Sequence, residues 1–503
     1  MSQSGSGCKY EGCPHPLYGK EEYCIFHLPK LTNEQIKELT PEKALEYYNF
    51  EEEFREKFFA LLNKINSDPE EKEFNFTGFQ FVDINLRNEN LKEKISGWDG
   101  FQKPVNFWEA ILQDIDFIEV TFQEAWFSSS TFQKADFSGA TFQEATFGHT
   151  TFQKANFIGA TFQTAYFIKV TFQKADFDRA TFQEATFGHT TFQEADFGWA
   201  TFQEVDFFKA TFHEAKFIGA TFHKVEFDQS NFNGKVIFSN STVQKKVTFR
   251  GSNENRVPMG ECKFNSIDIE PGAKIIFEKV NLEKASFLDA NIENFIFRDV
   301  KWYRKKPRKI ALWDEFENKE VDLSKLADNY HQLVLNYEKK REFDTALEFH
   351  IGEMEVKRKS MGKSKNKFLN WVQRNALNLY AWYKYLSYYG TSYKQALGWL
   401  AVMFLIFSGI FLFSGFQPAS TSNANISEVV NYDLLSPNPA SLKRLVLDYW
   451  SALKFSFSIL TLQRKPYFEA MGSWSQTLVG CAGIFFYSQV ALLLLAIRRR
   501  FKQ

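Results

Sequence analysis

Cysteine is scarce in this chain, with 5 in 503 residues, and proline is thin, with 13. So few cysteines exclude a disulfide-held scaffold. Net charge is nearly absent: 60 Lys and Arg stand against 61 Asp and Glu. The chain as a whole is therefore no polyanion binder. Mean hydropathy is negative, which excludes a protein that is membrane throughout. The opening MSQSGSG has no apolar run, so no cleavable signal peptide is expected. What is abundant is Phe, with 58 residues against 26 Gly. Phe is not among the commonest residues of globular chains, and disordered chains are poor in aromatics. Some segment must use Phe as a repeating unit.

Three of the five cysteines fall in the first 24 residues: Cys8, Cys13 and Cys24, with His27 just beyond. The spacing is Cys-x4-Cys followed by Cys-x2-His. Tetrahedral Zn(II) takes paired soft or borderline ligands from tight turns, and Gly7, Gly12, Pro14, Pro16 and Gly19 are turn residues. We read residues 1–30 as a structural zinc knuckle with ligands Cys8, Cys13, Cys24 and His27; His15 competes for the fourth place. Four protein ligands leave no open position, so a catalytic zinc is not expected. Thiolate ligands imply a reducing compartment. Residues 31–70 follow as a helical spacer, with Pro41 as its starter. Cys262 and Cys481 stand alone.

From Phe107 to Phe232 every fifth residue is Phe, with Leu112 the single exception in 26 sites. Two residues before most of them stands a small or β-branched residue, as at Ala135, Ala140, Thr150 and Val170. Neither helix nor plain strand has a period of five. Four five-residue sides closing a 20-residue coil do, with Phe and the small residue pointing inward. The motif resembles that of the pentapeptide-repeat family, A(D/N)(L/F)xx. It stands as AdFsg at 135–139, AnFig at 155–159, AdFdr at 175–179 and AdFgw at 195–199. The resemblance implies a mainly β fold, a right-handed quadrilateral β-helix, over residues 71–302 with a regular core at 105–234. A lead-in is expected at 74–81 and a looser continuation at 280–297. Residues 238–275 lose the period and are expected to bulge out as loops.

Outside, positions twenty apart share a face. Glu124, Glu144, Glu184 and Glu204 form an acidic ridge, and Lys134, Lys154 and Lys174 a basic one. Both are candidate interaction surfaces. His149 and His189 fall inside a duplicated block, TFQEATFGHT, and receive no role. No nucleophile–base pairing, phosphate loop or H-E-x-x-H motif is found, so no catalytic residue is assigned and no enzyme is expected.

Residues 303–392 are read as a cytoplasmic helical hairpin, resembling a single TPR-like unit, and an amphipathic linker. The hairpin's apolar set is Leu326, Tyr330, Leu333, Leu335, Tyr337, Phe343, Ala346 and Phe349. It is expected to pack on the β-helix end or on its own copy. Residues 393–503 form a two-span module. The runs 396–416 and 477–497 carry no charge and are long enough for a ~30 Å hydrocarbon core. Nine Lys and Arg and no Asp or Glu lie between Lys357 and Lys394, and Arg498, Arg499, Arg500 and Lys502 follow the second run. The positive-inside rule then places both termini in the cytoplasm of a plasma (inner) membrane protein. Trp371, Trp382, Trp399 and the tyrosines at 380–389 suit an interfacial belt.

The segment 447–463 looks like a re-entrant pore helix. SALKFSFSILTL resembles that of two-span potassium channels, with Ser456, Ser458, Thr461, Gln463, Arg464 and Lys465 as its pore-like residues. After Thr461 the sequence reads LQRKP, without filter glycines. The C-terminal stretch also resembles the membrane tail of bacterial pentapeptide-repeat proteins, here joined to a zinc knuckle. Three functions follow: a membrane-anchored interaction scaffold with an unknown cytoplasmic protein partner; an oligomeric channel-like protein gated by the β-helix, hence a homo-oligomer; and a DNA mimic binding a topoisomerase. The last needs a strongly negative rod. Residues 101–232 hold 17 acidic and 9 basic residues, a mixed net of −8. No nucleic-acid partner is expected.

Overall fold

The structure is a computed structural model. It describes residues 8–11, 13–31, 35, 37–252, 256–305, 310–317, 321–361, 367–419, 430, 445–463 and 468–501. The chain divides into two compact units, residues 1–321 and 322–503.

The first unit is built on a parallel β-solenoid running from Phe74 to Arg298. Its strands form two twelve-stranded sheets. Residues twenty apart are partners: Phe122 with Phe142, Phe162 with Phe182, Ala165 with Ala185. A regular coil gives one six-residue strand to each sheet, as in Thr161–Tyr166 and Thr171–Asp176; at 131–136 and 151–156 that strand is split into two short pieces. The backbone therefore repeats every ten residues although the Phe positions repeat every five. One kind of corner lies inside the strand at the Gln, where the ladder passes from Phe162 straight to Thr164. The other is a turn with a left-handed residue: Ser129, His149, Lys169, Arg179, His189 and Trp199 have φ between 55 and 61°. The Asp or Asn of the motif opens that turn. Oδ1 of Asp136, Asn156, Asp176 and Asp196 accepts the backbone N–H two residues on, at 2.9–3.1 Å, an Asx turn.

Inside, the rings stack in columns. From Phe147 through Phe167, Phe187 and Phe207 to Phe227, successive centroids are 4.6–4.8 Å apart and planes are within 8°. That matches the inter-strand spacing of about 4.8 Å, so ring column and ladder share one repeat. Each fully buried ring contributes roughly 1.5–3 kcal/mol from its removal from water.

Residues 238–275 do not bulge out as expected. They form the strands Thr242–Arg250, Val257–Lys263 and Lys274–Glu278. Phe217, Phe238 and Phe264 continue one column at 4.9 and 5.0 Å, and Phe227, Phe249 and Phe277 another at 4.9 and 5.0 Å. The extra residues are absorbed by register shifts after Phe212, Phe222 and Phe232. Gly234 permits one of them: a Cβ there would lie 1.8 Å from the His213 carbonyl oxygen.

Both ends of the solenoid are covered. The first helix, α1 (Pro41–Ser67), buries Phe54, Phe58, Leu62 and Ile65. Phe58 meets Phe76 and Phe81 at 5.2 and 5.1 Å, and Lys103 Nζ donates to the carbonyls of Ile65 in α1 and of Asp68 just after it, at 2.7 and 2.6 Å. Rather than a spacer, α1 is a lid on the open coil. A short helix, α2 (Asn88–Lys94), is inserted before the regular coils. At the other end Trp302 closes over Phe287 and Phe297. Asp314, in α3 (Asp314–Glu317), is buried and accepts from Ser286 Oγ and from the Phe287 N–H. Burial raises its carboxyl above the usual range.

The second unit is helical. The hairpin α4 (Leu323–Lys339) and α5 (Phe343–Ser360) buries Leu326, Tyr330, Leu333, Tyr337 and Phe349. Leu335, expected in that face, is exposed. Gly352 lets the helices close: a Cβ there would meet the Tyr330 ring at 2.3 Å. Then come α6 (Lys367–Asn375), α7 (Leu379–Ser387), α8 (Tyr393–Ser414), α9 (Leu445–Leu460) and α10 (Gly472–Arg500). Helices α8 and α10 are long and apolar enough to cross a membrane. Within this unit the hairpin packs on α7 and α10.

Candidate functional site

The N-terminal segment brings its predicted ligands together. Backbone bonds fold it tightly: Leu17 bridges Cys24, Tyr18 N–H donates to the Tyr23 carbonyl at 3.0 Å, and His27 N–H to the Cys24 carbonyl at 3.1 Å. The donor atoms of Cys8, Cys13, Cys24 and His27 all lie within 4.8 Å of one another. Cys13 Sγ is 3.6 Å from Cys24 Sγ, Cys8 Sγ is 3.6 Å from His27 Nδ1, and Cys24 Sγ is 3.0 Å from that nitrogen. A zinc tetrahedron with bonds of about 2.3 Å has edges of about 3.8 Å, so these residues fit a metal of that size. The group could bind a metal through three sulfurs and one nitrogen.

Its surroundings suit that role. His27 Nε2 lies 3.0 Å from the Thr77 carbonyl oxygen, which sets its tautomer and leaves Nδ1 to the cluster. Tyr10 stacks on His27 at 4.2 Å and lies over Gly78, whose Cβ would strike the ring at 2.3 Å. Burial pushes the metal-free Cys24 thiol up to about 12, so a thiolate there needs a cation. Lys30 is buried, with its ammonium 3.8 and 4.0 Å from the Phe50 and Phe54 ring centres. Burial lowers it to about 7, against the attraction of Glu51 and Cys24. His15 is not in the cluster. Its ring packs edge-on against Phe26 and Phe79 at 4.7 and 5.8 Å. Phe26 stacks on Phe79 at 4.6 Å, so the cysteine–histidine segment packs on the first coils. Sequence spacing located the four clustered residues; nothing in it marked Tyr10, Gly78 or Lys30.

The exterior columns exist, but neither ridge is of one sign. Glu124 pairs with Glu144 and Glu184 with Glu204, yet Thr164 interrupts the run and Lys224 ends it, 3.4 Å from Glu204. Lys134 is 2.7 Å from Asp114 and Lys174 is 3.6 Å from Glu194, with Lys154 between them in the column. His149 and His189 serve the left-handed turn.

In the second unit, α9 lies against both α8 and α10. Ser456 Oγ accepts from Ser408 Oγ at 2.8 Å, Ser458 Oγ donates to its own helix at Phe455, and Thr461 to Phe457. Ser456 and Ser458 are buried, whereas Thr461 and Gln463 are exposed. Arg464 and Lys465 lie outside the described residues. Sequence reasoning missed the polar network at the base of this unit. Glu355 accepts from Lys384 at 2.6 Å, Arg358 at 2.9 Å and Tyr389 OH at 3.0 Å. Glu353 accepts from Lys357 at 2.6 Å beside His350 and His331, and Arg499 donates to the Tyr389 carbonyl at 2.8 Å. Burial alone would raise both carboxyls. Hydrogen bonds from His350 and Lys357, and from Lys384 and Arg358, outweigh it and hold each at about 2.

Two models of pentapeptide repeats match this sequence. One covers residues 107–151 and 207–253; the other covers 135–173, 147–183, 162–198 and 172–207. Residues 107–253 are pentapeptide repeats. Among solved structures, the chain is similar to HetL, a pentapeptide repeat protein involved in heterocyst differentiation regulation from the cyanobacterium Nostoc sp. strain PCC 7120. Identity is 16% over 46% of this chain and 89% of that one, with TM-score 0.22. It is also similar to QnrB1, a plasmid-mediated fluoroquinolone resistance protein, at 13% identity over 46% and 88%, TM-score 0.20. No curated protein matches. The pentapeptide-repeat coils are thus placed by the repeat models and by the strand register.

Proposed function

We propose that this is a membrane-anchored interaction scaffold, binding rather than catalytic. The observation that carries it is the pairing, in one chain, of a rigid solenoid with two helices apolar enough to span a membrane. A solenoid of stacked identical coils offers a long, stiff surface of the kind repeat proteins use for binding. Here the Glu and Lys columns are that surface, and an unidentified cytoplasmic protein is the partner. Zinc held by Cys8, Cys13, Cys24 and His27 is structural: it keeps the lid of the first coils closed. The protein sits in the plasma (inner) membrane with both termini in the cytoplasm.

A second reading, an oligomeric channel-like module, is supported by α9. That helix is too short to span and ends at Leu460, and terminal carbonyls at membrane depth must face protein or water rather than lipid. Purified full-length chain in planar bilayers separates the two. Absence of unitary current supports the scaffold. Unitary steps altered by Arg464→Gln with Lys465→Gln overturn it. A topoisomerase-binding mimic is disfavoured by the mixed charge of the columns.

A further inference from the structure

Between the hairpin and α8 lie α6 and α7, a collar with large apolar side chains turned outward. Trp371 is 59% exposed, Leu377 78%, Leu379 84% and Trp382 54%. Leu377, Leu379 and Trp382 also line an open recess of 890 Å³ that reaches Leu492 of α10. So contiguous an exposed apolar surface needs a cover.

The collar's depth is set by the spans. Gln395 Nε2, in the first turn of α8, donates to the Lys384 carbonyl at 3.2 Å, and Gln489 Nε2 of α10 to the Leu386 carbonyl at 3.1 Å. Tyr388, Tyr389 and Gly390 turn the chain from α7 to α8 through three left-handed residues. Glu355 holds that turn through the Tyr389 hydroxyl. The apolar face is therefore pinned beside the start of α8 and beside Gln489, about two turns inside the C-terminal end of the uncharged run of α10. Nine Lys and Arg and no acid stand from 357 to 394; Lys357, Arg358 and Lys384 pair with Glu353 and Glu355, and Arg374 and Lys394 are among the cations outside those pairs. Aromatic and leucine side chains on one face with basic residues around them are what binds an in-plane helix to anionic lipid.

We infer that α6–α7 is an in-plane element that docks on an anionic phospholipid surface, with its outward Trp and Leu side chains among the acyl chains. This rests on the membrane reading of α8 and α10. It adds that docking, and through Glu355 the setting of the hairpin, depends on the lipid charge.

The test uses the full-length chain in vesicles of phosphatidylcholine alone and with one quarter phosphatidylglycerol, with brominated lipid as quencher. The Trp371 and Trp382 signal is the difference between the natural chain and W371F/W382F. The Trp399 signal, from α8, is the difference from W399F. We expect Trp399 to be quenched in both vesicles. We expect quenching of the collar pair to be about twofold stronger with the anionic lipid, and this increment to be lost in R374Q/K394Q. If Trp399 is not quenched, the span reading fails. If Trp399 is quenched but the collar pair answers only to aqueous acrylamide, the docking inference is overturned. Protection from both quenchers assigns the face to a protein cover, and equal quenching in both vesicles removes the anionic lipid; either result overturns it as well.

Discussion

The solenoid and the helical unit solve burial in opposite ways. In the solenoid every coil makes the same contacts as its neighbours, so stability accrues by repetition. Phe167 touches Phe147 and Phe187 just as Phe187 touches Phe167 and Phe207. In the helical unit the contacts are single. Glu355 takes its three donors from three different elements, and Glu353 beside it is held by a different set, Lys357 with His350 and His331. Repetition makes a fold legible and tolerant of insertions. Single polar clusters make it specific and vulnerable at one residue.

The comparison is tested most severely at the middle of a ring column. Phe167→Ala should cost about 3–5 kcal/mol, seen as a lower denaturant midpoint of the solenoid, with the helical unit's transition unmoved. A loss below 1 kcal/mol would mean the column is not the source of stability. Next, Glu355→Gln leaves Arg358 and Lys384 short of an anion and should cost about 1–3 kcal/mol, confined to the helical transition.

Gly234→Ala should cost about 1–3 kcal/mol by overpacking, because its Cβ meets backbone at His213. Gly159→Ala, with φ +65° and nothing within 4 Å, should cost about 1–2 kcal/mol from backbone conformation alone. Acid sharpens the contrast further. Glu353 and Glu355 have carboxyls held at about 2, so their stabilisation is present above the unfolded value near 4.5 and is lost as pH falls through about 2. Helical circular dichroism should therefore melt at lower temperature from about pH 4.5 downward. An unchanged helical melt at pH 3 would sink that assignment. The smallest effect is expected at the metal group. Cys13→Ser should lower bound zinc from one per chain, loosening the first coils while the column at Phe167 keeps its stability. Full zinc retention would remove Cys13 from the ligand set.

Much of the solenoid was legible because its register is written in one residue type. Twenty-five Phe on a period of five leave few alternatives to an axial column. Legibility failed where the period did. Residues 238–275 keep the columns through Phe238, Phe249 and Phe264 at irregular spacing, and only bulges reconcile them. The grouping of Cys8, Cys13, Cys24 and His27 was legible because turn-sized spacing is itself a chemical constraint. The spacing favoured His27 over His15, and the structure places His27 in the group while His15 packs on Phe26 and Phe79.

What the sequence by itself determined is local and periodic: coils, inward Phe, two apolar helices and a cysteine–histidine group. Each follows from residues near one another in the chain, or from strict repetition. Only the tertiary structure could make α1 a lid rather than a spacer, turn Leu335 outward, mix the signs along each column and gather Glu353, Glu355 and Arg499 at one end of the helical unit. These depend on side chains distant in sequence, whose meeting no spacing records. The physical reason is that burial and charge pairing are settled by neighbours in space.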